Sequence, residues 1–338
     1  MGIKKVGVMT SGGDAPGMNA AIRAVVRSSH YYHIECFGIL EGYKGLINSW
    51  IEPLGPRDVG NIIHRGGTIL KTARSKEFTT KEGRKKAYEN IKKHNLDALV
   101  IIGGDGSFTG AMVFEKEYNV PIIGIPGTID NDISGTDFTI GYDTALNVAI
   151  DAIDKIKDTA TSHNRLFFVE VMGRSSGFIA LHSGIATGAL DILIPEETNY
   201  KLEDLFDSIE KGGRAGKTSS IIVVAEGNQL KGLEEENSQI LNDNTYILAQ
   251  KTQERYPNYD IRVSILGHIQ RGGNPTCSDR VLASCLGVEA IEALMRGEKG
   301  VMVGMKGNKT HLSSFKEVLS KKNEISEKLI KISDIIAI

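Results

Sequence analysis

Short runs of apolar and β-branched residues alternate along this chain with longer segments in which apolar residues recur every three or four positions. The short runs predict buried strands at residues 5–10, 34–40, 98–102, 121–125, 166–172, 192–195, 220–225 and 261–266. The periodic segments predict helices at residues 20–27, 81–95, 108–118, 145–161, 238–255, 281–295 and 317–338. Strands that alternate with helices are typical of an α/β protein, in which helices cover a parallel sheet.

The segment from Pro126 to Asp132 (Pro-Gly-Thr-Ile-Asp-Asn-Asp) directly follows the predicted strand at 121–125. Thr128, Asp130 and Asp132 are therefore expected at the carboxyl end of that strand, the edge where open α/β sheets bind ligands. Asp130 and Asp132 are two residues apart, so on an extended backbone they would project to the same side. Such a pair can divide its work, because one carboxylate can take a proton while the other faces a metal. The same residues also favour an Asx turn, and this segment alone leaves both interpretations open.

Length and composition narrow the class of protein. A chain of 338 residues is long for one hydrophobic core and predicts two lobes. The net charge of −2 gives no reason to expect a nucleic-acid or membrane partner, so an anionic ligand must be bound by locally placed Arg and Lys. The three cysteines (Cys36, Cys277 and Cys285) form no CxxC motif, and we find no signal peptide or transmembrane run. We therefore expect a reduced, cytoplasmic protein.

Two glycine-rich turns follow predicted strands and precede predicted helices: residues 11–19 (SGGDAPGMN) and 103–107 (GGDGS). A strand, a glycine-rich turn and a helix can hold a phosphate through open backbone N–H groups and the positive end of the helix. In the second turn, Asp105 is placed to face Mg²⁺, which prefers one or two carboxylates plus phosphate oxygens. Residues 212–218 nearly spell a Walker A loop, but there the strand follows the loop, so we reject that interpretation.

Residue types that serve phosphate chemistry recur where predicted strands end. These positions are Thr10, Ser11, Gly104, Asp105, Thr128, Asp130, Met172, Arg174, Glu226, His268 and Arg271. Singly, each arginine could be a surface charge, and His268 could be a packed histidine. Their joint recurrence around one sheet edge predicts phosphoryl transfer to a phosphorylated substrate, with Mg²⁺.

Six motifs keep a fixed order from about residue 3 to residue 305 and resemble those of one enzyme family. They are residues 10–19 (TSGGDAPGMN), 65–68 (RGGT), 103–107 (GGDGS), 126–132 (PGTIDND), 172–174 (MGR) and 267–273 (GHIQRGG). By these motifs the chain resembles the ATP-dependent 6-phosphofructokinases of the bacterial short-chain type. The resemblance implies a glycolytic kinase that transfers the γ-phosphoryl group of ATP to the 1-hydroxyl of fructose 6-phosphate, with Mg²⁺.

The resemblance also implies an architecture of two Rossmann-like, three-layer α/β/α lobes with the active site in the cleft between them. The ATP-binding lobe would comprise residues 1–141 plus about 270–320. The sugar-phosphate-binding lobe would comprise residues 142–269 plus about 321–338. Arg165 and Arg262 are implied to reach the sugar phosphate from a neighbouring subunit, so that a homotetramer would have shared active sites. A dianionic phosphate suits several arginines, because each guanidinium can donate two parallel hydrogen bonds.

The same resemblance assigns roles to individual residues. Asp130 would take the proton from the sugar's 1-hydroxyl, with Asp132 and Thr128 in support. Arg174 would stabilise the transferred phosphoryl group, and Asp105 would face Mg²⁺. The residues implied in ATP binding are Gly13, Tyr43, Arg74, Asp105, Gly106, Ser107 and Gly110. Those implied in fructose 6-phosphate binding, besides Arg165 and Arg262, are Thr128, Asp130, Met172, Gly173, Arg174, Glu226, His268 and Arg271.

A second site of this family, at a subunit interface, binds an activating ADP or an inhibiting phosphoenolpyruvate through Arg and Lys side chains. Arg23 and Arg27, four apart on a predicted helix, match that site, and so does Lys217. Three positions depart from it: Lys157 stands for the usual arginine, Ala215 for a basic residue and Leu190 for a glutamate. Because lysine is not a bidentate phosphate partner, we expect a weakened or altered response to effectors.

Two other functions are weighed against this one. Pyrophosphate-dependent phosphofructokinases carry an acidic residue at the position of Gly106 and a lysine at that of Gly127, whereas glycine at both leaves room for a nucleotide. A catalytically silent sugar-phosphate or nucleotide sensor on the same fold is expected to lack the base, yet Asp130 is present.

The segment at residues 227–260 is longer than the family's usual form, and the sequence does not predict how it packs.

Overall fold

The computed structural model describes residues 2–163, 165–217, 220–229 and 244–337. The chain divides into two compact units. Unit 1 comprises Met1–Thr144 and Arg271–Asn323, and unit 2 comprises Ala145–Gln270 and Glu324–Ile338. Each unit contains a largely or wholly parallel sheet with helices packed against it, so the α/β class predicted from the alternating pattern is confirmed.

The described residues form the following strands and helices. The strands are β1 (Lys5–Thr10), β2 (Glu35–Ile39), β3 (Ile51–Pro53), β4 (Ala98–Gly103), β5 (Ile122–Pro126), β6 (Arg165–Val171), β7 (Asp191–Leu193), β8 (Ser220–Ala225), β9 (Asp260–Ile265), β10 (Val301–Lys306) and β11 (Lys309–Ser314). The α-helices are α1 (Met18–Tyr31), α2 (Gly42–Asn48), α3 (Lys81–Lys93), α4 (Asp105–Tyr118), α5 (Tyr142–His163), α6 (Phe178–Thr187), α7 (Leu202–Arg214), α8 (Asn244–Arg255), α9 (Cys277–Met295), α10 (Phe315–Ser320) and α11 (Glu327–Ile336). Short 3₁₀ helices lie at Glu77–Thr79 and Gly267–Arg271.

The sheet of unit 1 has seven strands in the order β11-β10-β5-β4-β1-β2-β3. Its central strands pair in parallel, and β3 and β11 close the two edges as antiparallel strands. From β1 the chain proceeds to β2 and β3 on one side, and from β4 it proceeds to β5 and β10 on the other. The strand order therefore reverses between β1 and β4, and ligands bind outside the carboxyl ends of the strands at such a reversal.

Strand β4 lies at the centre of unit 1 and is buried at every residue. Because successive side chains point to opposite faces, Leu99 and Ile101 pack with buried residues of α2, α3 and α4 on one face. Helices α1 and α9 pack against each other and contact strands of the same sheet. Burial on both faces explains why β4 reads as a continuous apolar run rather than an alternating one.

The sheet of unit 2 has four parallel strands in the order β7-β8-β6-β9. Leu166 and Phe168 of β6 pack in its core with Ile222 and Val224 of the neighbouring β8. Leu205 of α7 and Leu248 of α8 belong to the same cluster and are fully buried.

The three cysteines are free thiols. In the described part of the chain, every helix is too short or too polar to cross a bilayer.

The predicted helix at residues 317–338 is wrong in its continuity. Helix α10 ends at Ser320 and α11 begins at Glu327, and the backbone between them leaves the helical conformation at Lys321. Lys322 forms an antiparallel bridge with Ile133, and the backbone N–H of Asn323 donates to the Asp132 carbonyl at 3.0 Å. These tertiary hydrogen bonds replace the intrahelical ones that the polar sequence alone favours.

Other differences concern boundaries and short elements. Helix α4 begins at Asp105, three residues before the predicted start, and residues 212–214 of the predicted loop form the last turn of α7. The sequence analysis also lacks strands β10 and β11. Strand β11 is an edge strand with a mostly polar sequence, and its first three residues are exposed. Residues 238–243 of the predicted helix at 238–255, Thr218 of the loop and much of the longer segment at 227–260 lie outside the described residues.

Three carboxyl groups of unit 2 lie close enough to influence one another. Asp191, at the start of β7, accepts a hydrogen bond of 2.5 Å from the Tyr200 hydroxyl. Glu197 is half-buried, and this burial, together with the nearby charges of Asp334 on α11 and of Asp191, raises its pKa to about 7. Because the folded-state pKa lies above the usual 4.5, ionising Glu197 costs folding free energy, and this cost grows as the pH rises from about 4.5 to 7.

Replacing Glu197 by glutamine should therefore stabilise the protein above neutral pH. The melting temperature of Glu197→Gln should exceed that of the wild type clearly at pH 8 and much less at pH 5, because the carboxyl group is largely protonated in the folded state at pH 5. The exposed Glu324→Gln is the matched control and should show the same small change at both values. Equal shifts at pH 5 and pH 8 for Glu197→Gln would contradict this assignment.

Candidate active site

The carboxyl ends of β1 and β4 approach each other closely in unit 1. The backbone N–H of Ser11 donates to the Ile102 carbonyl at 3.0 Å. A side chain at Gly103 would place its first carbon 2.5 Å from the Ser11 carbonyl oxygen, so this position requires glycine. Helix α4 begins two residues later, at Asp105. Its positive N-terminal end therefore lies beside the crevice where the strand order reverses, an arrangement that favours anions.

Several predicted ATP-binding residues are brought together on the first turns of α4. The Tyr43 hydroxyl donates to the Ser107 carbonyl at 2.6 Å, and its ring stacks on Phe78 with centroids 3.9 Å apart. Gly110 lies against the same ring, since a side-chain carbon there would be 3.1 Å from it. A side chain at Gly106 would instead meet no atom within 4 Å. The packed tyrosine and the open glycine position thus border the same helix start.

The first glycine-rich turn lies against Arg271. The Arg271 guanidinium donates from Nη1 to the Asp14 carbonyl at 3.1 Å. At Gly13, a side-chain carbon would lie 2.9 Å from that same nitrogen. Arg74 is exposed on a loop that is tied to this turn, because the nearby Thr72 hydroxyl donates to the Gly12 carbonyl at 2.6 Å.

The backbone between Asp130 and Asp132 is not extended, although the expectation of a shared side assumed that it is. Asn131 between them is left-handed, with φ of 52°, so the two side chains do not follow strand alternation and this expectation is wrong. Asn131 is buried, and its side-chain oxygen accepts from the Thr139 backbone N–H at 2.9 Å, which stabilises the conformation. Asp130 is 6% exposed, and its backbone N–H donates to the Thr128 hydroxyl at 3.3 Å.

The carboxylate that shares a contact with Asp132 is Asp105. The Lys322 ammonium lies 3.3 Å from Asp105 Oδ2 and also forms an ion pair with Asp132 Oδ2. Burial raises the pKa of Asp105, and the charge of Asp132 raises it further, whereas Lys322 lowers it. One cation thus bridges two carboxylates that come from the ends of different strands.

This arrangement fits Mg²⁺. Asp105 and Asp132 lie close enough to share one cation, the Lys322 ammonium. Mg²⁺ is usually bound by one or two carboxylates together with phosphate oxygens, so these two side chains could serve as its protein ligands. Among the described residues, no group of three or more His, Cys, Asp or Glu side chains could hold a metal ion. The two carboxylates would therefore need phosphate oxygens to complete the coordination of Mg²⁺.

At the carboxyl end of β6 in unit 2, a turn is held by Glu226. Glu226 Oε1 accepts from the backbone N–H groups of Arg174 at 2.6 Å and of Gly173 at 3.2 Å. Arg174 is exposed and has a φ of 52°, a conformation that non-glycine residues rarely adopt without such support. Met172 is buried, and its N–H donates to Gln270 Oε1 at 3.3 Å. His268 is exposed on the 3₁₀ helix Gly267–Arg271.

Arg165 and Arg262 lie away from this turn. Arg165 is the first residue of β6, whereas Met172 follows its last, a separation of about 20 Å along the strand. Both arginines bind Asp260: Arg165 Nε donates at 2.6 Å, and Arg262 Nη2 lies 2.9 Å from the other carboxylate oxygen. Within unit 2, therefore, the structure does not bring these two residues to the other sugar-phosphate positions.

The positions matched to the effector site are basic in both units. Burial and the charge of Arg27 lower the pKa of Arg23 in unit 1. In unit 2, burial and the charge of Lys157 lower the pKa of Lys217, whose ammonium donates to the Ala337 carbonyl just after α11. Lys157 Nζ donates to the Thr187 carbonyl at 2.7 Å. Leu190 packs in the core beside Gly212, so it does not offer a ligand contact.

Two groups that shape the site, Asn19 and Lys322, are not among the residues predicted from the sequence. Asn19 binds the loop at residues 65–69 through hydrogen bonds from its side chain to the carbonyls of Arg65 and Gly66 at 3.1 Å, and accepts from the Ile69 N–H at 2.8 Å. Asn19 and this loop lie in quoted motifs, and a side-chain amide after a glycine-rich turn could have suggested the contact. Lys322 carries no signal in the sequence, because its segment has the pattern of a polar helix.

Comparison with known proteins agrees with this geometry. The phosphofructokinase family matches residues 5–294 of the chain. ATP-dependent 6-phosphofructokinase 2 of Bacteroides thetaiotaomicron is 51% identical over 330 residues, which cover 98% of this chain and 97% of that protein. ATP-dependent 6-phosphofructokinase 1 of Thermus thermophilus is 50% identical over 336 residues, which cover 99% of this chain and 100% of that protein.

Solved structures show the same fold. The phosphofructokinase of Saccharomyces cerevisiae superposes with a TM-score of 0.85 at 37% identity. The superposition covers 98% of this chain and 46% of that longer chain. A pyrophosphate-dependent phosphofructokinase of Marinobacter aquaeolei gives a TM-score of 0.82 at 19% identity, over 96% of this chain and 86% of that one, and so shares the fold. By the family match and the relatives that align over nearly its whole length, the chain belongs to the phosphofructokinase family.

Proposed function

We propose that this protein transfers the γ-phosphoryl group of ATP to the 1-hydroxyl of fructose 6-phosphate, giving fructose 1,6-bisphosphate and ADP. The observation that carries the proposal is the group of three carboxylates (Asp105, Asp130 and Asp132) that follow the adjacent strands β4 and β5 beside the start of α4. A buried base and a cation-binding pair at a helix N-terminus supply what phosphoryl transfer needs. The names of the half-identical relatives agree with this function.

Asp130 acts as the general base in this mechanism. The proton of the 1-hydroxyl passes to the Asp130 carboxylate while the hydroxyl oxygen bonds to the γ-phosphorus and the bond to ADP breaks. Thr128 supports Asp130 through the hydrogen bond between its hydroxyl and the Asp130 N–H. Arg174 stabilises the charge of the phosphoryl group in transfer, as an arginine does in related phosphoryl-transfer sites.

Asp105 and Asp132 would hold the Mg²⁺ that accompanies ATP. When bound, Mg²⁺ neutralises charge on the phosphate oxygens. The start of α4 and the glycine-rich turn at residues 11–19 offer backbone N–H groups to the nucleotide phosphates. Gly13, Tyr43, Arg74, Gly106, Ser107 and Gly110 complete the proposed nucleotide site.

The two glycines that distinguish ATP from pyrophosphate as the donor differ in their surroundings. The position of Gly106 is open, so glycine here leaves room for a bulky nucleotide. At Gly127, a side-chain carbon would lie 3.1 Å from both Ile102 and Met18, so a lysine would have to displace them. Both features support ATP as the donor rather than pyrophosphate.

The residues proposed to bind the sugar phosphate are Met172, Gly173, Arg174, Glu226, His268, Thr128, Asp130 and Arg271. The distance of Arg165 and Arg262 from the Met172 turn supports the proposal that they reach the sugar phosphate from a neighbouring subunit of a homotetramer.

We place the enzyme in the cytoplasm, which agrees with its free cysteine thiols.

Replacing Asp130 by serine should lower kcat by about 10²–10⁴-fold and change the KM for fructose 6-phosphate little, because a general base acts mainly in the transition state. Steady-state kinetics with ATP and Mg²⁺ measure both constants. Asp137→Asn, in the same loop, is the control and should keep normal turnover, because its amide oxygen can still accept the hydrogen bond from Gly307 N–H. A near-normal kcat for Asp130→Ser would remove Asp130 as the base.

Mixed oligomers test whether Arg165 is donated between subunits. Chains with Arg165→Ala and chains with Asp130→Ser should each be poorly active alone. Coexpressed, they should regain part of the activity, because some sites then combine an intact base with an intact donated arginine. If verified mixed tetramers stay as inactive as the parents, each site is built from a single chain.

Effector titration tests the departures at the second site. ADP and phosphoenolpyruvate should change the half-saturating fructose 6-phosphate concentration little, because an effector shifts an equilibrium only by its differential affinity for two states. Lys217 is already engaged by the Ala337 carbonyl, and Leu190 is in the core. A strong shift in half-saturation by either compound, measured at sub-saturating sugar phosphate, would refute this expectation.

A further inference from the structure

Lys322 contacts two strand-end carboxylates but has no part in the proposed proton or phosphoryl transfer. Its ammonium is 3.3 Å from Asp105 Oδ2 and forms an ion pair with Asp132 Oδ2. The Asp132 side chain is 13% exposed and the Asp105 side chain 33%, so both charges are partly withdrawn from water. Two carboxylates in such surroundings repel each other strongly unless a cation balances them.

The backbone of Lys322 is fixed to the same loop that carries Asp130 and Asp132. Lys322 pairs with Ile133 in an antiparallel bridge, and the Asn323 N–H donates to the Asp132 carbonyl at 3.0 Å. The Asn323 side chain donates to the Thr136 carbonyl at 3.0 Å, a second attachment to that loop. The backbone at Lys322 is therefore held in place by this loop, and the side chain, 54% exposed, reaches both carboxylates from a fixed origin.

A second anchor ties this segment to the helix that begins at Asp105. Phe315 of α10 is buried and stacks on Phe108 of α4, with ring centroids 5.5 Å apart. Only a few residues separate α10 from Lys322, so α4 and the loop after β5 are connected through one short segment. The lysine links the two elements that carry Asp105 and Asp132.

We propose that Lys322 is a positioning residue that holds the Asp105 and Asp132 carboxylates together and takes the place of a divalent cation until the metal arrives with the nucleotide. This inference rests on the proposed function for its role in turnover. The consequence for the metal is direct: a resident ammonium competes with a free divalent ion for the same two carboxylates. Free metal should therefore bind weakly when no nucleotide is present.

The test compares Lys322→Met, which keeps the length of the side chain without its charge, with Lys322→Arg, which keeps the charge. Lys321→Met is the matched control, because Lys321 is adjacent and exposed. The first readout is Mn²⁺ binding without nucleotide, followed by the loss of the electron paramagnetic resonance signal of the free ion. Mn²⁺ suits carboxylate ligands as Mg²⁺ does.

Lys322→Met should bind Mn²⁺ at least about tenfold more tightly than the wild type, because a nearby positive charge is removed. Lys322→Arg and Lys321→Met should bind it as weakly as the wild type. In kinetics, Lys322→Met should lose about 10–100-fold in kcat, as partners of metal ligands typically do. Its KM for fructose 6-phosphate should stay near normal, and excess free Mg²⁺ should inhibit it more than the wild type.

Unchanged Mn²⁺ binding in folded Lys322→Met would overturn the proposal. So would a loss of kcat in Lys322→Arg equal to that in Lys322→Met, or a lower melting temperature with normal kcat and normal Mg²⁺ dependence. The Mn²⁺ measurement needs no turnover. If the wild type lacked phosphofructokinase activity while Lys322→Met still gained Mn²⁺ affinity, the proposed function would fail and the assignment of Lys322 as the competing cation would stand.

Discussion

Two partly buried carboxylates, Asp105 and Asp132, share one positive charge in unit 1, and the arrangement of the candidate site depends on how that charge is balanced. Asp105 begins α4, where the helix dipole favours a carboxylate, and Asp132 follows a left-handed Asn131 that turns it out of line with Asp130. Asp130 is buried, whereas Asp132 is the carboxylate that Lys322 binds. One acidic segment can then serve two chemical purposes, proton transfer and cation binding.

The topology of the sheet is what brings these groups to one edge. Strands β1, β4 and β5 are parallel neighbours, so the residues that follow them emerge on the same side, and the order reverses between β1 and β4. Close approach at that reversal requires Gly103, whose missing side chain leaves room for the Ser11 carbonyl. Strand order, a glycine and a helix N-terminus together make this edge suited to binding phosphate.

Much of this could be read from the sequence because the signals are local. A continuous apolar run predicts a strand buried on both faces, and the residues after it fall at a known edge, which is how Asp105 and Asp130 were selected. What could not be read depends on contacts between distant segments. Strand β11 is polar because it is an edge strand, and Lys322 leaves a helix-like sequence because the loop at Asp132 supplies its backbone hydrogen bonds. The left-handed Asn131 is stabilised by Thr139, eight residues away, which no dipeptide preference specifies.

The most direct test of the account is the choice of phosphoryl donor. Purified protein is incubated with fructose 6-phosphate and Mg²⁺ and with either ATP or pyrophosphate at equal concentration, and the products are followed by phosphorus-31 nuclear magnetic resonance. The account predicts fructose 1,6-bisphosphate and ADP with ATP, and at most a small fraction of that rate with pyrophosphate. Faster formation of the bisphosphate from pyrophosphate, or no transfer to the 1-hydroxyl from either donor, would contradict it.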